Sequence, residues 1–160
     1  MIISAFYKNR MLYYNAMKDF LEGKISAWQF REKCWGQRHK DLHENRKNGR
    51  TYEYYENMIK NLVGDEKTFK EEYYDYLYNK SWSPDCLEAL KKYEEGAKKF
   101  NIKGETFFIG IHNFIDEYIR EYYPSNSEEF DPTFDVDEKT LHKIIQAAFD
   151  VLERNKDRWM

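Results

Sequence analysis

The stretch FLEGKISAWQF at 20–30 constrains the fold more than any other part of the sequence. Gly23 stands where the C-terminus of a helix favours a left-handed residue. Ser26 and Gln29 have the spacing of a capping box, in which each side chain binds the backbone N–H of the other residue. One hydrophobic residue precedes this cap and another follows it, at the positions of a hydrophobic staple. The stretch therefore predicts a corner between two helices, and we assign it no chemistry of its own.

Apolar residues recur at helical spacing along the rest of the chain, and breaks separate one group from the next. The sequence contains only 7 Gly and 3 Pro in 160 residues, which favours helices, and no segment alternates as a strand would. We therefore predict an all-α fold, a single-domain helical bundle of six or seven helices that spans residues 1–160. The predicted breaks lie at Gly23, Asn48-Gly49, Gly64, Ser81 to Pro84 and Pro124.

The composition is that of a polar globular protein: 34% of the residues are charged, 18% are aromatic and the mean hydropathy is -0.96. No apolar run approaches the ~20 residues that a membrane-spanning helix needs, and the sequence shows no signal-peptide apolar region. Cys34 and Cys86 are far apart and form no ligand-spaced motif, so we read both as reduced thiols, with a single extracellular disulfide as the alternative. These features together predict a cytoplasmic protein.

The net charge of -3 hides an asymmetry along the chain. Basic residues dominate between Arg31 and Arg50, whereas acidic residues dominate between Asp116 and Glu138. The overall pI of about 5.9 argues against a general nucleic-acid-binding protein, and an acidic surface suits a basic protein partner. A solvated charged face with no partner is the alternative. The candidate partner-binding residues are Asp116, Glu117, Glu121, Glu128, Glu129, Asp131 and Asp135.

No group of residues assembles a general acid, a base and a nucleophile. His39 and His43 are four residues apart and could face one way on a helix, but the Glu of a zinc-protease helix is replaced by Lys40 and no third ligand is evident. Cys34 has no nucleophile motif around it, and His112 lies inside an apolar helical segment. We therefore predict no catalytic residues, no metal and no cofactor.

Two segments of the sequence carry a further pattern. The first is the corner at 20–30, and the second is FIDEYIREYYPSNSEEFDPTFDVDEKTLHKIIQAAFDVL, in which a helix ends near an aromatic-Pro pair and an acidic connection leads to a capped final helix. Together these segments resemble the colicin D immunity-like family of bacterial self-protection proteins. Ser125-Asn126-Ser127 replace the acids that the family carries directly after the Pro, and the acids fall later. The matching residues are Phe20, Leu21, Lys24, Ile25, Ser26, Phe30, Tyr123, Pro124, Val136, Asp137 and Leu141.

The resemblance implies a helical bundle that binds a tRNA-cleaving toxin domain and occludes its active site, with an acidic surface in place of the RNA. It implies a bacteriocin or contact-dependent inhibition system, and no direct binding to nucleic acid or membrane. The region from about Gln37 to Gly104 exceeds the family's usual length, so extra helices are expected there. Two alternatives stay open: a helical adaptor or oligomerising protein with no toxin partner, and a metal-dependent helical enzyme that uses His39 and His43.

Overall fold

The computed structural model describes residues 3–160. Over this range the chain is all-helical, with 72% helix and no strand, which confirms the predicted all-α class. No helix within it has both the length and the apolar character that a membrane crossing requires. The helices are α1 (Ala5–Lys8), α2 (Arg10–Leu21), α3 (Ala27–Lys47), α4 (Tyr52–Lys60), α5 (the continuous segments Gly64–Phe69, π-helical Lys70–Tyr74 and Asp75–Asn79), α6 (Cys86–Lys99), α7 (Gly104–Arg120), α8 (Glu138–Arg154) and α9 (Lys156–Trp159).

The predicted number of helices, six or seven, is wrong, because residues 3–160 form nine. Two asparagines account for the difference. The Asn9 side chain donates to the Asp41 carboxylate at 2.7 Å, and the Asn155 side chain donates to the Glu94 carboxylate at 2.6 Å. The Asn155 side chain also donates to the Val151 carbonyl at 2.7 Å, and side-chain bonds to the nearby backbone compete with helical pairing. The first and last predicted helices are each broken at these asparagines, which leaves α1 and α9 as separate four-residue turns.

The corner between α2 and α3 has the predicted geometry. Gly23 has a φ of 75°, in the left-handed region that closes a helix. The Gln29 N–H donates to the Ser26 hydroxyl at 3.1 Å, and the Ser26 N–H donates to the Gln29 side-chain oxygen at 2.9 Å. Phe30 is fully buried and stacks on Phe20, with ring centroids 4.8 Å apart. The corner therefore fixes where α3 leaves α2.

Replacing Ser26 with Ala is expected to lower the free energy of unfolding by about 0.5–2 kcal/mol, because α3 loses its cap. Chemical denaturation would measure the loss. Thr51→Ala is the matched control: Thr51 caps α4 by accepting from the Tyr54 N–H at 3.4 Å, yet α4 has no buried residue. An equal loss in the two variants would show that the cap of α3 has no special weight in the fold.

The core lies between α2, α6, α7 and α8, and its buried apolar residues form one cluster. Tyr93 of α6 crosses α7 at Gly110, where a Cβ would lie 2.2 Å from the Tyr93 hydroxyl oxygen. That hydroxyl donates to the carbonyl of Phe107 at 2.8 Å, so this tyrosine anchors α6 to α7. The region 37–104 is part of the same core, to which it contributes Phe69, Leu77, Leu90 and Tyr93.

Candidate functional site

Five of the seven candidate acids lie in the loop that joins α7 to α8, residues 121–137, which we name the acidic loop. Its two ends are paired through the backbone. The Tyr123 N–H donates to the Val136 carbonyl at 3.0 Å, and the Val136 N–H donates to the Glu121 carbonyl at 2.8 Å. Tyr122 and Val136 are both 4% exposed, so this pairing is anchored in the core. The loop therefore projects from a fixed stem.

Glu138, at the start of α8, secures the stem from the other side. Its carboxylate accepts hydrogen bonds from the Tyr122 hydroxyl at 2.9 Å and from the Ser125 hydroxyl at 2.8 Å. Burial opposes ionisation of this carboxyl, but the backbone N–H of Glu138 and the donors from Ser125 and Tyr122 outweigh it, and its pKa is lowered. The Glu138 charge thus stabilises the loop stem, a role that the sequence had not suggested.

Three of the predicted acids maintain the conformation of the loop itself. The Asp131 carboxylate accepts from the Thr133 N–H at 2.9 Å, and the Asp135 carboxylate accepts from the Asp131 N–H at 2.8 Å. The Glu129 carboxylate accepts from the Tyr123 hydroxyl at 2.6 Å. Short side-chain bonds of this kind replace regular secondary structure in turns. The loop is therefore ordered by its own acids, although Glu129 and Asp131 remain exposed.

Glu121 and Glu128 are the two acids that the protein does not use internally. Both side chains are exposed, and neither carboxylate has an ion-pair or hydrogen-bond partner within residues 3–160. Glu121 directly follows α7, at the stem, whereas Glu128 lies inside the loop. These two charges are available to a partner without the loss of an existing contact.

Asp116 and Glu117 lie on α7 and are engaged elsewhere. Asp116 forms ion pairs with Arg38 at 3.2 Å and with Arg120 at 3.1 Å, and its side chain is only 17% exposed. The Glu117 carboxylate accepts from the indole N–H of Trp82 at 2.8 Å, and Trp82 lies in the α5–α6 connection. The structure therefore brings together the five predicted acids from Glu121 onward in one loop. Asp116 and Glu117 lie outside that loop and are already paired with other residues.

Trp28 adds an exposed aromatic side chain to the acidic loop. Its side chain is 43% exposed, and its ring centroid lies 6.4 Å from that of Tyr123 and 6.5 Å from that of Tyr122. The guanidinium of Arg31 lies over the same indole, 5.3 Å from the ring centroid. Phe134, in the loop, is 71% exposed. Trp28 belongs to the corner to which we assigned no chemistry from the sequence. Its spacing from Phe30 was the available signal, because two helical residues that are two positions apart point to different sides of the helix.

The histidines and cysteines form no site of the kind that a metal or a nucleophile needs. His39 and His43 are exposed on α3, and His39 packs at the edge of the Trp35 ring, with centroids 5.0 Å apart. No group of three or more metal-ligating side chains occurs in the described part of the chain. Burial raises the pKa of the Cys34 thiol to about 12, so it stays protonated near neutral pH.

Comparison with known proteins identified no relative of this chain. No family model, no curated protein and no solved structure matches it.

Proposed function

We propose that this protein is an immunity protein that binds a nuclease toxin and covers its active site with the acidic loop. The observation that carries the proposal is the pair of exposed, unpartnered carboxylates, Glu121 and Glu128, on an ordered loop beside the exposed Trp28. A nuclease must present cations to phosphates, and carboxylates can occupy the same positive field through charge-assisted hydrogen bonds. The resemblance of the two segments adds that the toxin's substrate would be tRNA.

The arrangement has the features of a tight protein interface. Binding energy is concentrated in a few aromatic and Arg residues near the centre, surrounded by polar groups. Trp28, beside Tyr123 and Arg31, provides such a centre, and the acids of the loop provide the charged rim. Because the loop is already ordered by its own hydrogen bonds, little conformational entropy is lost on association.

Replacing Trp28 with Ala is expected to weaken toxin binding by at least about 2 kcal/mol, because a central aromatic anchor is lost. Titration calorimetry with the purified toxin domain would measure the change. Trp82→Ala is the matched control, since Trp82 is 53% exposed but its contacts, with Glu117 and Tyr118, are to α7 and not to the acidic loop. Full affinity in the Trp28 variant and weakened binding in the Trp82 variant would place the interface on another side of the molecule.

The proposal excludes catalysis by this chain and places its action in the cytoplasm of the toxin-producing cell. Co-expression with the nuclease encoded by the neighbouring gene tests it. A stable one-to-one complex and survival of cells that otherwise die are the expected results. Death of the cells despite abundant folded protein, with no complex on size-exclusion chromatography, would reject the proposal.

A helical adaptor with no toxin partner is the second candidate, and α4 is the observation that favours it. This helix contains no buried residue. Tyr52 and Ile59 on α4 are 80% and 48% exposed, and Val63, just beyond the helix, is 76% exposed. Exposed apolar side chains in one short segment are typical of interaction surfaces. The adaptor function would be favoured if substitutions on α4 abolished a cellular activity that substitutions at Trp28 left intact.

A further inference from the structure

The solvent face of α3 carries a pattern that toxin binding by the loop does not require. Trp28 and Arg46 are eighteen residues apart, which is five turns of an α-helix, so they lie on the same face at about 27 Å from each other. Between them, Glu32, Trp35, His39 and Leu42 fall within roughly 40° of the same direction. Trp35 and Leu42 are partly exposed and His39 is exposed. The middle of the face is therefore aromatic and apolar, and the guanidinium groups of Arg31 and Arg38 lie over the Trp35 ring, 5.2 and 5.7 Å from its centroid.

The unpaired charges at the two ends of this face have opposite signs, since Arg31, which lies over Trp28, is paired with Glu32 at 3.3 Å. At the N-terminal end, Trp28 contacts Tyr123, so the acidic loop lies beside the start of α3. At the C-terminal end, Arg46 lies on the face and Lys47 lies about 100° round the helix from it. Both are exposed, and neither has an ion-pair partner in the described part of the chain. The net charge of the whole protein is only -3. The separation of acidic and basic groups between the two ends of the α3 face is therefore local and does not reflect a strongly charged protein.

We infer that the α3 face binds the α3 face of a second copy of this protein in an antiparallel, two-fold symmetric dimer. In an isologous interface each contact occurs twice. Antiparallel packing then places the acidic loop of each copy against Arg46 and Lys47 of the other, and brings the two copies of Trp35 and His39 together near the axis. Gly36 leaves open space beside this centre, because apart from its chain neighbours and the backbone of α3 no atom lies within 4 Å of the position of a Cβ. Charge complementarity therefore identifies the second copy as the occupant.

The dimer would cover Trp28 and the acidic loop. A toxin that used the same surface would have to displace the second copy, and this consequence rests on the proposed function. The dimer itself does not, because it is measured on the protein alone. A single-stranded RNA could also contact a basic helix with aromatic side chains, but the acidic loop at one end of the face would repel its phosphates.

A charge-exchange experiment tests the dimer by molar mass, starting from a 19.6 kDa chain. Wild-type protein is expected to have twice this mass in low salt. It should dissociate as salt rises from about 0.01 M to about 1 M, over which the Debye length falls from about 30 Å to about 3 Å. Glu121→Lys with Glu128→Lys should give a monomer, as should Arg46→Glu with Lys47→Glu, because each double variant sets like charges against each other.

Mixing the two double variants is the decisive step. Each reversed loop then faces a reversed helix end, so a heterodimer of the two variants is expected although each alone is monomeric. Two double variants on α6 are the controls: Glu88→Lys with Glu95→Lys, and Lys91→Glu with Lys99→Glu. Each reverses the same number of charges, and each should still form a dimer as the wild-type protein does. A monomeric wild-type protein in low salt, a mixture that stays monomeric, or a dimer lost equally in the α6 variants would each overturn the inference. So would RNA binding by a protein that stays monomeric and is weakened only by the Arg46 and Lys47 changes.

Discussion

Reversing the charges of Glu121 and Glu128 to Lys is expected to weaken toxin binding by several kcal/mol, because attraction to the basic cleft is replaced by like-charge repulsion. These two positions test the interface better than Glu129, Asp131 or Asp135, whose carboxylates also maintain the loop. The free energy of unfolding should change little, since exposed charges contribute little to folding. Surface plasmon resonance at two salt concentrations would give both rate constants, and the association rate should fall most at low salt.

The matched control carries the same change in net charge on another helix. Glu88 and Glu95 lie on the solvent side of α6, are exposed and have no ion pair among the described residues. Reversing both to Lys should leave the affinity for the toxin within a few-fold of wild type. Equal weakening by the two double variants would mean that the toxin responds to the overall charge of the protein, and the acidic loop would then have no special role.

Acidification is expected to destabilise the fold through His112. This side chain is enclosed by the rings of Phe6, Tyr13 and Phe108, and its Nδ1 has no hydrogen-bond partner within residues 3–160. Burial lowers the pKa of His112 from 6.5 to about 4; the charge of Asp116 opposes this shift and that of Arg38 adds to it. The unfolded chain therefore takes up a proton below about pH 6.5, whereas the folded protein resists protonation until about pH 4.

The stabilising effect of neutral His112 is thus complete above pH 6.5 and is lost progressively as the pH falls towards 4. The free energy of unfolding should decrease by about 3 kcal/mol over that interval from this residue alone. In His112→Leu, urea denaturation from pH 7 to pH 4 should show a shallower dependence on pH. Removal of an exposed imidazole, as in His43→Ala, is the control and should leave the wild-type dependence intact. Parallel curves for His112→Leu and wild type would contradict the assignment.

Local signals in the sequence predicted the parts of the fold that depend on neighbouring residues. The capping box at Ser26 and Gln29 and the left-handed Gly23 were readable because their contacts lie within a few positions. The breaks at Asn9 and Asn155 were not, because the carboxylates that these side chains bind are 32 and 61 positions away. The helix class was therefore predictable, and the number of helices was not.

The candidate site shows the same division. The sequence identified the acidic loop by composition, but it could not tell that Asp116 is paired with Arg38, 78 positions away, or that Glu117 is bonded to Trp82. Trp28 was missed because the residues around it were fully explained by the helix corner. Its place beside Tyr123 arises only when α3 packs against the end of α7.

Inhibition of RNA cleavage tests the central claim most directly. The toxin domain would be mixed with increasing amounts of this protein, and cleavage of tRNA would be followed at several tRNA concentrations. If the acidic loop takes the place of the RNA, cleavage should stop near a one-to-one ratio, and more protein should be needed as the tRNA concentration rises. Undiminished cleavage at a large excess of folded protein, or inhibition that tRNA does not relieve, would contradict the occlusion of the active site by the acidic loop.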